Sequence, residues 1–457
     1  MQTTKAYKNV LCIYPHKAGA PEKKYCPPIG LEHIAAALKP FSEKITVIDM
    51  RFKDDISNFL NNEAVDLVCI SISWDYQEQA AIEVVKQIKP GAKIIVGGRH
   101  ATTIADKLLT TLPAIDIIVR GDGEEIMQDI ASGIPLNEIS GISYKTTDKN
   151  ITHNKSRELL SINNEIYPDR TLRRNSYELT YKNVSLGMNI DFLSTSRGCP
   201  FSCRFCTFTN NPLGQKRKWS GRDPQSIVTE LKTIKAKFIF VVDDNFAADM
   251  KRVEALCDMI IAEKIKKTFA VAVRLDIYKH KRVLKKMYKA GFRILSVGIE
   301  SAQDKTLKSM QKGFDTAWAK NAMAEIRKVN FYVHGYFIVG CIGESKEDML
   351  AIADFAKSLR LHTISLSALR TEKFSPLNDI VANFKNYHIS SDNYVYSDEY
   401  SVDQLKQIRK SIGKSYYSFS TYARIAKTIF SAKLLSPFFI CKLGTLMLKK
   451  SLRLSVF

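Results

Sequence analysis

The chain opens with short apolar runs that alternate with longer amphipathic stretches. Within the first 135 residues, runs rich in Val and Ile occur at Asn9–Tyr14, Ile45–Asp49, Val65–Ser71, Lys93–Val96 and Ile115–Val119. Each is short and is closed by turn or charged residues, which predicts strands. Between them, helical patterns occur near Leu31–Leu38, Glu78–Ile88, Thr103–Leu112 and Glu125–Ile130. Nearly continuous apolar strands alternating with helices predict a parallel sheet covered on both faces. Five strands suit a doubly wound, flavodoxin- or Rossmann-like domain over residues 1–135, with its ligand at the carboxyl ends of the strands.

Residues 136–188 break this rhythm. Ile142-Ser143-Tyr144 and Ile151-Thr152-His153 flank Asp148-Lys149-Asn150, which predicts a hairpin, and a polar linker through Arg170, Arg173 and Arg174 follows. From Asn189 the alternation returns, with strands predicted at Asn189–Ser194, Phe238–Val242, Ala270–Val273, Ile294–Gly298, Tyr332–Val339 and Thr363–Ser367. Six such repeats over residues 189–374 predict a partial (β/α)6 TIM-type barrel with its active site on the loops after the strands. Residues 375–457 are rich in Tyr and Lys and read as helical after Asp403. The fold class is therefore α/β with a helical C-terminal region.

Composition narrows the functional class. Of 457 residues, 45% are hydrophobic and 25% charged, the balance of a globular protein, which excludes a disordered or collagen-like chain. Lys and Arg number 68 against 47 Asp and Glu, a net charge of +21 that points to an anionic partner, nucleic acid or a membrane surface. Much of the excess is local, because no acidic residue follows Asp403. Nine Cys, an odd number, suit reduced thiols or metal ligands better than a disulfide scaffold. No signal-like pattern follows Met1, and no uncharged apolar run approaches the roughly 20 residues that span a bilayer, so a cytoplasmic location is expected.

The sharpest chemical signal is Cys199-Pro200-Phe201-Ser202-Cys203-Arg204-Phe205-Cys206. Three thiols on one loop after a strand can hold a [4Fe–4S] cluster, which normally takes four thiolates, and leave one iron open. The same residues also admit a zinc site with a borrowed His, or three buried core thiols. Zinc sites usually pair two Cys-rich halves, and no second half is visible. The remaining cysteines, Cys12, Cys26, Cys69, Cys257, Cys341 and Cys441, are scattered and read mostly as small core residues.

The Cys-x3-Cys-x-aromatic-Cys pattern, with Phe205 at the aromatic position, resembles that of radical SAM enzymes. The resemblance implies that the open iron binds S-adenosyl-L-methionine (SAM) and that one electron cleaves it to a 5′-deoxyadenosyl radical. Val242-Asp243-Asp244-Asn245-Phe246 resembles the family's acidic strand end, and Val297-Gly298-Ile299-Glu300-Ser301 its fourth-strand end. These imply Asp244, Glu300 and Ser301 as SAM contacts. Val333 to Gly340 resembles the fifth-strand segment, but Ile342 stands where relatives usually have Pro before Gly-Glu.

The N-terminal domain resembles the cobalamin-binding domains fused to such barrels. The resemblance rests on Pro27-Pro28-Ile29-Gly30-Leu31, Ser71-Ile72-Ser73, Gly97-Gly98-Arg99-His100 and Arg120-Gly121-Asp122-Gly123-Glu124. It implies Ser71, Ser73, Gly97, Gly98, Gly121, Gly123 and Glu124 as cofactor-binding residues. Glycines suit this place because a nucleotide tail must approach the backbone closely. In Tyr14-Pro15-His16-Lys17-Ala18-Gly19, His and Gly keep the spacing of a lower-ligand motif, but Tyr14 replaces the orienting Asp. His16 is thus a weak candidate for the lower cobalt ligand, since an axial His needs an acceptor on its other nitrogen.

Together the two resemblances imply a cobalamin-dependent radical SAM enzyme using a [4Fe–4S] cluster, SAM and cobalamin, with Cys199, Cys203 and Cys206 holding the cluster. A methyltransferase acting on an unactivated carbon of a small, hydrophobic or lipid-like substrate is expected, supplied with electrons by a flavodoxin or ferredoxin. Oxidative cyclisation or rearrangement without methyl transfer is the alternative within the family. An RNA-binding Fe–S redox protein is the alternative outside it, and no RNA-binding motif supports it. The basic, apolar tail from Ala432 to Lys450 suits peripheral contact with an anionic inner-membrane face and equally a helix packed on the barrel.

Overall fold

Alternate residues of the first strand face opposite layers. Val10, Cys12 and Tyr14 join one apolar cluster, while Leu11 and Ile13 join another. The computed structural model describes residues 5–17, 26–52, 56–62, 64–159, 161–162, 166–181, 184–206, 210–372, 375–432 and 434. It divides into two compact units, Met1–Glu178 with Asn210–Lys216, and Leu179–Thr209 with Arg217–Phe457.

The first unit is built on β1 (Tyr7–Tyr14), β2 (Ser42–Asp49), β3 (Leu67–Ser71), β4 (Lys93–Gly97), β5 (Ile117–Val119), β6 (Ile142–Lys145) and β7 (Ile151–His153). Their order is β2-β1-β3-β4-β5-β6-β7, with the first five parallel and the last two antiparallel. Helices Ile29–Leu38 and Glu124–Ala131 cover one face, and Glu78–Gln87 and Ala105–Thr111 the other. This is the doubly wound arrangement, with its topological switch between β1 and β3. The hairpin β6–β7 extends the same sheet. Arg173 in the polar stretch beyond it pairs with Glu32 at 2.6 Å, and Tyr177 donates to Asp49 at 3.0 Å. Asp49 also pairs with Arg51 at 2.6 Å, so these buried charges are mutually satisfied.

The second unit carries β8 (Glu178–Tyr181), β9 (Val184–Leu193), the short ribbon β10 (Ser196–Arg197) and β11 (Ser220–Gly221), then β12 (Phe238–Val241), β13 (Thr268–Val273), β14 (Phe292–Glu300), β15 (Tyr332–Val339) and β16 (Thr363–Ala368). The sheet order is β16-β15-β14-β13-β12-β9-β8, and β9 and β12 to β16 run parallel in chain order. The result is a curled half-barrel, open rather than closed. One face packs against helices through Val241, Val271, Leu295, Val333 and Phe337, among others.

Beyond β16, helix Pro376–Ala382 and the hairpin β17 (Tyr387–Ile389) and β18 (Val395–Ser397) form a small cluster with Met310, Ile338 and Cys341. Helices Val402–Tyr416 and Phe419–Ser431 follow, and the first buries Leu405, Ile408, Ile412 and Tyr416 in the half-barrel core. Among the described residues, no helix is long and apolar enough to cross a membrane. Cys441 and nearly all of the tail from Ala432 to Lys450 lie outside the described residues.

Candidate active site

The cysteine loop leaves the carboxyl end of β9 and is anchored at its base. Asp243, just past β12, is buried and accepts from the Thr195 amide at 2.6 Å and from Ser196 Oγ at 2.6 Å. Burial pushes its carboxyl up, while these hydrogen bonds act to lower it. Arg252 donates to Thr195 O at 3.3 Å, and Arg222 Nη1 donates to Ser194 O at 3.0 Å and pairs with buried Glu230. Asp244 accepts from the Gly198 amide at 2.9 Å, one residue before Cys199. Its carboxylate therefore fixes the loop entrance. Gly198 has φ +80°, and a Cβ there would meet Lys218 O at 2.9 Å, so the turn requires glycine.

Within the loop, Cys203 is buried while Cys199 and Cys206 are half-buried. Burial pushes the Cys199 thiol up, the Phe201 amide acts to lower it, and the neighbouring thiols Cys203 and Cys206 raise it further. Arg274, the residue after β13, places Nη1 3.7 Å from Cys203 Sγ and its guanidinium 3.8 Å from the Phe201 ring centre. It also donates to Lys312 O at 2.6 Å. Phe205 packs partly buried beside Met310, Ile338 and Leu377, so the C-terminal helix-and-hairpin covers the aromatic position of the motif.

The fourth strand ends in a strained turn. The register of β14 against β15 shifts between Gly298 and Glu300, and Glu300 adopts φ +75°, a left-handed conformation uncommon for a residue with Cβ. Glu300 is buried and pairs with buried Lys312 at 2.8 Å, and Lys312 Nζ lies 5.4 Å from the Phe205 ring centre. Ser301 is fully buried and donates to Glu344 Oε1 at 2.8 Å, while Glu344 Oε2 accepts from the Cys341 amide at 3.1 Å. Burial pushes the Glu344 carboxyl up. Thus Asp244, Glu300 and Ser301 all lie at strand ends, each engaged by a protein partner.

The sheet face opposite the helices is aromatic on one side and hydroxyl-rich on the other. Phe240 stacks edge-on with Phe192 and Phe238. On β15, His334 lies between Thr363 Oγ1 at 2.7 Å and Ser365 Oγ at 3.0 Å, and its ring meets Tyr336 edge-on. Burial lowers the His334 pKa.

In the first unit, the predicted cofactor residues gather at the carboxyl ends of adjacent strands β3, β4 and β5. Ser71 and Ser73 approach each other, with their hydroxyls 3.4 Å apart. Buried Gln77 holds this loop by accepting from the amides of Ser73 and Trp74, and it donates to Pro15 O at 3.0 Å. Gly98 has φ +109°, and a Cβ there would meet Ile72 O at 2.6 Å. At Gly97 and Gly121 a Cβ would make only ordinary contacts, at 3.6 and 3.8 Å, the latter with Leu213. Gly123 and Glu124 start helix Glu124–Ala131, and a Cβ at Gly123 would meet Ile34 Cδ1 at 2.8 Å. His16 is buried, whereas Ala18 and Gly19 of its motif lie outside the described residues. Tyr14 lies under the Arg51 guanidinium, which is already paired with Asp49.

Sequence reasoning missed Arg274, Lys312, Gln77 and Leu213. Arg274 alone carried a signal, a cation directly after a barrel strand, where catalytic groups collect. The other four scattered cysteines among the described residues, Cys12, Cys69, Cys257 and Cys341, are buried, and Cys26 is half-buried.

The donor set fits the implied groups. Among the described residues no three acidic, His or Cys side chains converge as a single metal ion would need. A cluster differs, because each thiolate binds its own iron, and a sulfur-only loop with a nearby guanidinium is suited to it. The strand ends of the first unit bring Ser71, Ser73, Gly97 and Gly121 to one edge of the sheet, where ligands of doubly wound domains bind.

Comparison with known proteins agrees with this geometry. The radical SAM superfamily matches residues 193–356, and the B12-binding domain matches residues 17–131. An uncharacterized methyltransferase of Pyrococcus horikoshii is 27% identical over 73% of this chain and 73% of its own length. The anaerobic magnesium-protoporphyrin IX monomethyl ester cyclase of Cereibacter sphaeroides is 25% identical over 74% of this chain but only 58% of its own. Hopanoid C-3 methylase of Methylococcus capsulatus is 26% identical over 62% of this chain and 55% of its own. The chain therefore spans less than two thirds of the last two. Among solved structures, the methyltransferase TsrM of Kitasatospora setae shares the fold with TM-score 0.70, 15% identity and coverage of 91% of this chain and 90% of its own. OxsB, a cobalamin-dependent radical enzyme, shares it with TM-score 0.67, 16% identity and coverage of 85% and 64%.

Proposed function

We propose that this chain, in which a B12-binding domain precedes a radical SAM domain, is a cobalamin-dependent radical SAM enzyme that methylates an unactivated carbon of a small, largely apolar molecule. The observation that carries this reading is the three-thiol loop held at the strand ends of the half-barrel in a chain that also has a cobalamin domain. Methyltransferases among the relatives favour methyl transfer.

When bound, the cluster, SAM and cobalamin supply one-electron cleavage, a hydrogen-abstracting radical and a transferable methyl group. The chain supplies binding, aim and exclusion of water. Cys199, Cys203 and Cys206 hold the cluster, and Phe205, packed under the C-terminal cover, shields it. Asp244 sets the loop through the Gly198 amide. Glu300 and Lys312 offer a carboxylate and an ammonium at the SAM edge, and Ser301 braces that edge through Glu344. Ser71, Ser73, Gly97, Gly98, Gly121, Gly123 and Glu124 form the cobalamin edge. The aromatic sheet face around Phe240 suits an apolar substrate, and the hydroxyls of Thr363 and Ser365, held by His334, give that face a polar side.

Oxidative ring closure is the second reading, favoured by the cyclase relatives. Anaerobic turnover with SAM carrying a deuterated methyl group separates the two. The methyltransferase reading expects the label in the product together with 5′-deoxyadenosine. Formation of 5′-deoxyadenosine with an unlabelled, ring-closed product would replace it with the cyclase reading. Cys203→Ala should abolish both products, and its failure to do so would remove the cluster assignment itself.

A further inference from the structure

Helix Phe419–Ser431 meets the rest of its unit with its polar side. Thr421 and Thr428 are buried, and Thr428 Oγ1 lies 2.8 Å from His362 Nε2. Arg424 donates twice to Leu361 O, at 2.7 and 3.1 Å, and Asn330 Nδ2 donates to Ser431 Oγ at 2.9 Å. The apolar side faces outward instead. Phe419 is 90% exposed, Tyr422 58% and Phe430 63%. With exposed Ala426 between them, these residues follow the three- and four-residue spacing of one helix stripe. A surface helix of a globular protein normally does the reverse, with apolar residues in and polar residues out. Single exposed hydrophobics need no explanation, whereas an aligned aromatic row marks an interaction surface.

We propose that this row is a docking surface for an anionic phospholipid bilayer, with Phe419, Tyr422 and Phe430 entering the headgroup layer. Charge complementarity selects the occupant. Lys427 is exposed on the same helix, and Lys406, Lys410 and Lys414 are exposed on the helix before it. No acidic residue follows Asp403 in the sequence, so neither this helix nor the rest of the chain after it brings an acidic side chain of its own. Aromatic side chains inserted among headgroups, flanked by Lys over anionic lipid, is how an interfacial helix binds. A second copy of the chain would bring these like charges together. RNA would seek a basic groove lined by stacking rings rather than an aromatic ridge.

The surface does not depend on the cofactor reading, because vesicle binding is read without turnover. The test is co-sedimentation of the full chain with vesicles of phosphatidylglycerol and phosphatidylcholine, and with vesicles of phosphatidylcholine alone. Binding to the anionic vesicles is expected, and it should weaken as salt is raised. The triple variant Phe419→Ser, Tyr422→Ser, Phe430→Ser should lose binding by about tenfold or more, since burying even one aromatic is worth about that factor. Lys427→Glu should lose a smaller part. All four sites are exposed, so an unchanged unfolding midpoint would show that the variants still fold. The proposal is overturned if the wild-type chain ignores anionic vesicles, if it binds phosphatidylcholine equally well, or if the triple variant binds undiminished. It is equally overturned if the row instead mediates a dimer that the triple variant dissociates, or retention of RNA that the triple variant abolishes.

Discussion

Arg274 Nη1 lies 3.7 Å from Cys203 Sγ, and the same guanidinium covers the Phe201 ring and donates to Lys312 O. One cation thus binds the cysteine loop to the segment after helix Asp304–Ser309 and faces a thiolate that would carry the cluster. A positive charge there stabilises the reduced, more negative cluster. Arg274→Gln should therefore make the cluster harder to reduce. A charge-assisted hydrogen bond worth roughly 1.5 kcal/mol corresponds to about 60 mV for a one-electron couple. A redox titration followed by electron paramagnetic resonance reads the shift. An unchanged potential with intact iron content would leave Arg274 only a packing role.

The paired glycines after β4 should behave differently from each other. Gly98 combines φ +109° and ψ 168°, a region essentially restricted to glycine, with a 2.6 Å approach of a Cβ to Ile72 O. Gly98→Ala should destabilise the first unit by about 2–3 kcal/mol, measured by urea unfolding. At Gly97 a Cβ meets only Val119, at 3.6 Å. Gly97→Ala should keep the fold and lower cobalamin affinity, read by absorbance titration of the purified chain. If Gly97→Ala binds cobalamin normally, the ligand does not reach that strand end.

The strands were legible because parallel strands buried on both faces read as unbroken apolar runs. All five strands predicted in the first unit and all six in the second occur, with ends differing by a few residues. The pattern predicted one helix at Thr103–Leu112, but the chain forms two, Arg99–Thr103 and Ala105–Thr111, because the turn at Gly98 starts helix early. Helix Ile56–Asn62 escaped notice, since its seven residues are too few to show a period. The cysteine loop was visible because its chemistry is contiguous in sequence. Arg274 and Lys312 were not, because each becomes meaningful only when a distant loop folds against it. The same holds for the cover at residues 376–397, whose short elements carry no repeat.

Lys312 and Glu300 form a buried pair at 2.8 Å beside the strained end of β14. Gly298 is needed beneath them, since a Cβ there would meet both side chains. Lys312→Met leaves the Glu300 carboxylate buried and unpaired. The expected loss is about 3–5 kcal/mol in unfolding free energy. Glu300→Gln added to Lys312→Met should recover much of it, because a neutral amide is cheaper to bury. A double variant no more stable than the single would show that the pair contributes geometry rather than charge compensation.

His362 makes stability depend on acid. Its Nδ1 accepts from the Val333 amide at 2.9 Å, and its Nε2 meets Thr428 Oγ1, which joins helix Phe419–Ser431 to the half-barrel. Burial, then the Arg424 charge, lowers its pKa from 6.5 to about 4. The unfolded chain therefore takes up a proton near pH 6.5 that the folded chain refuses until about pH 4. Stability from this site is complete above pH 6.5 and falls as the pH drops through that window, by roughly 3 kcal/mol at pH 4. His362→Gln keeps a neutral group and should flatten this part of the profile, whatever it costs at neutral pH. Urea midpoints measured from pH 7.5 to pH 4 for both proteins read the difference. Parallel profiles would mean that His362 is protonated in the folded chain, and that the link between Val333 and Thr428 tolerates the charge.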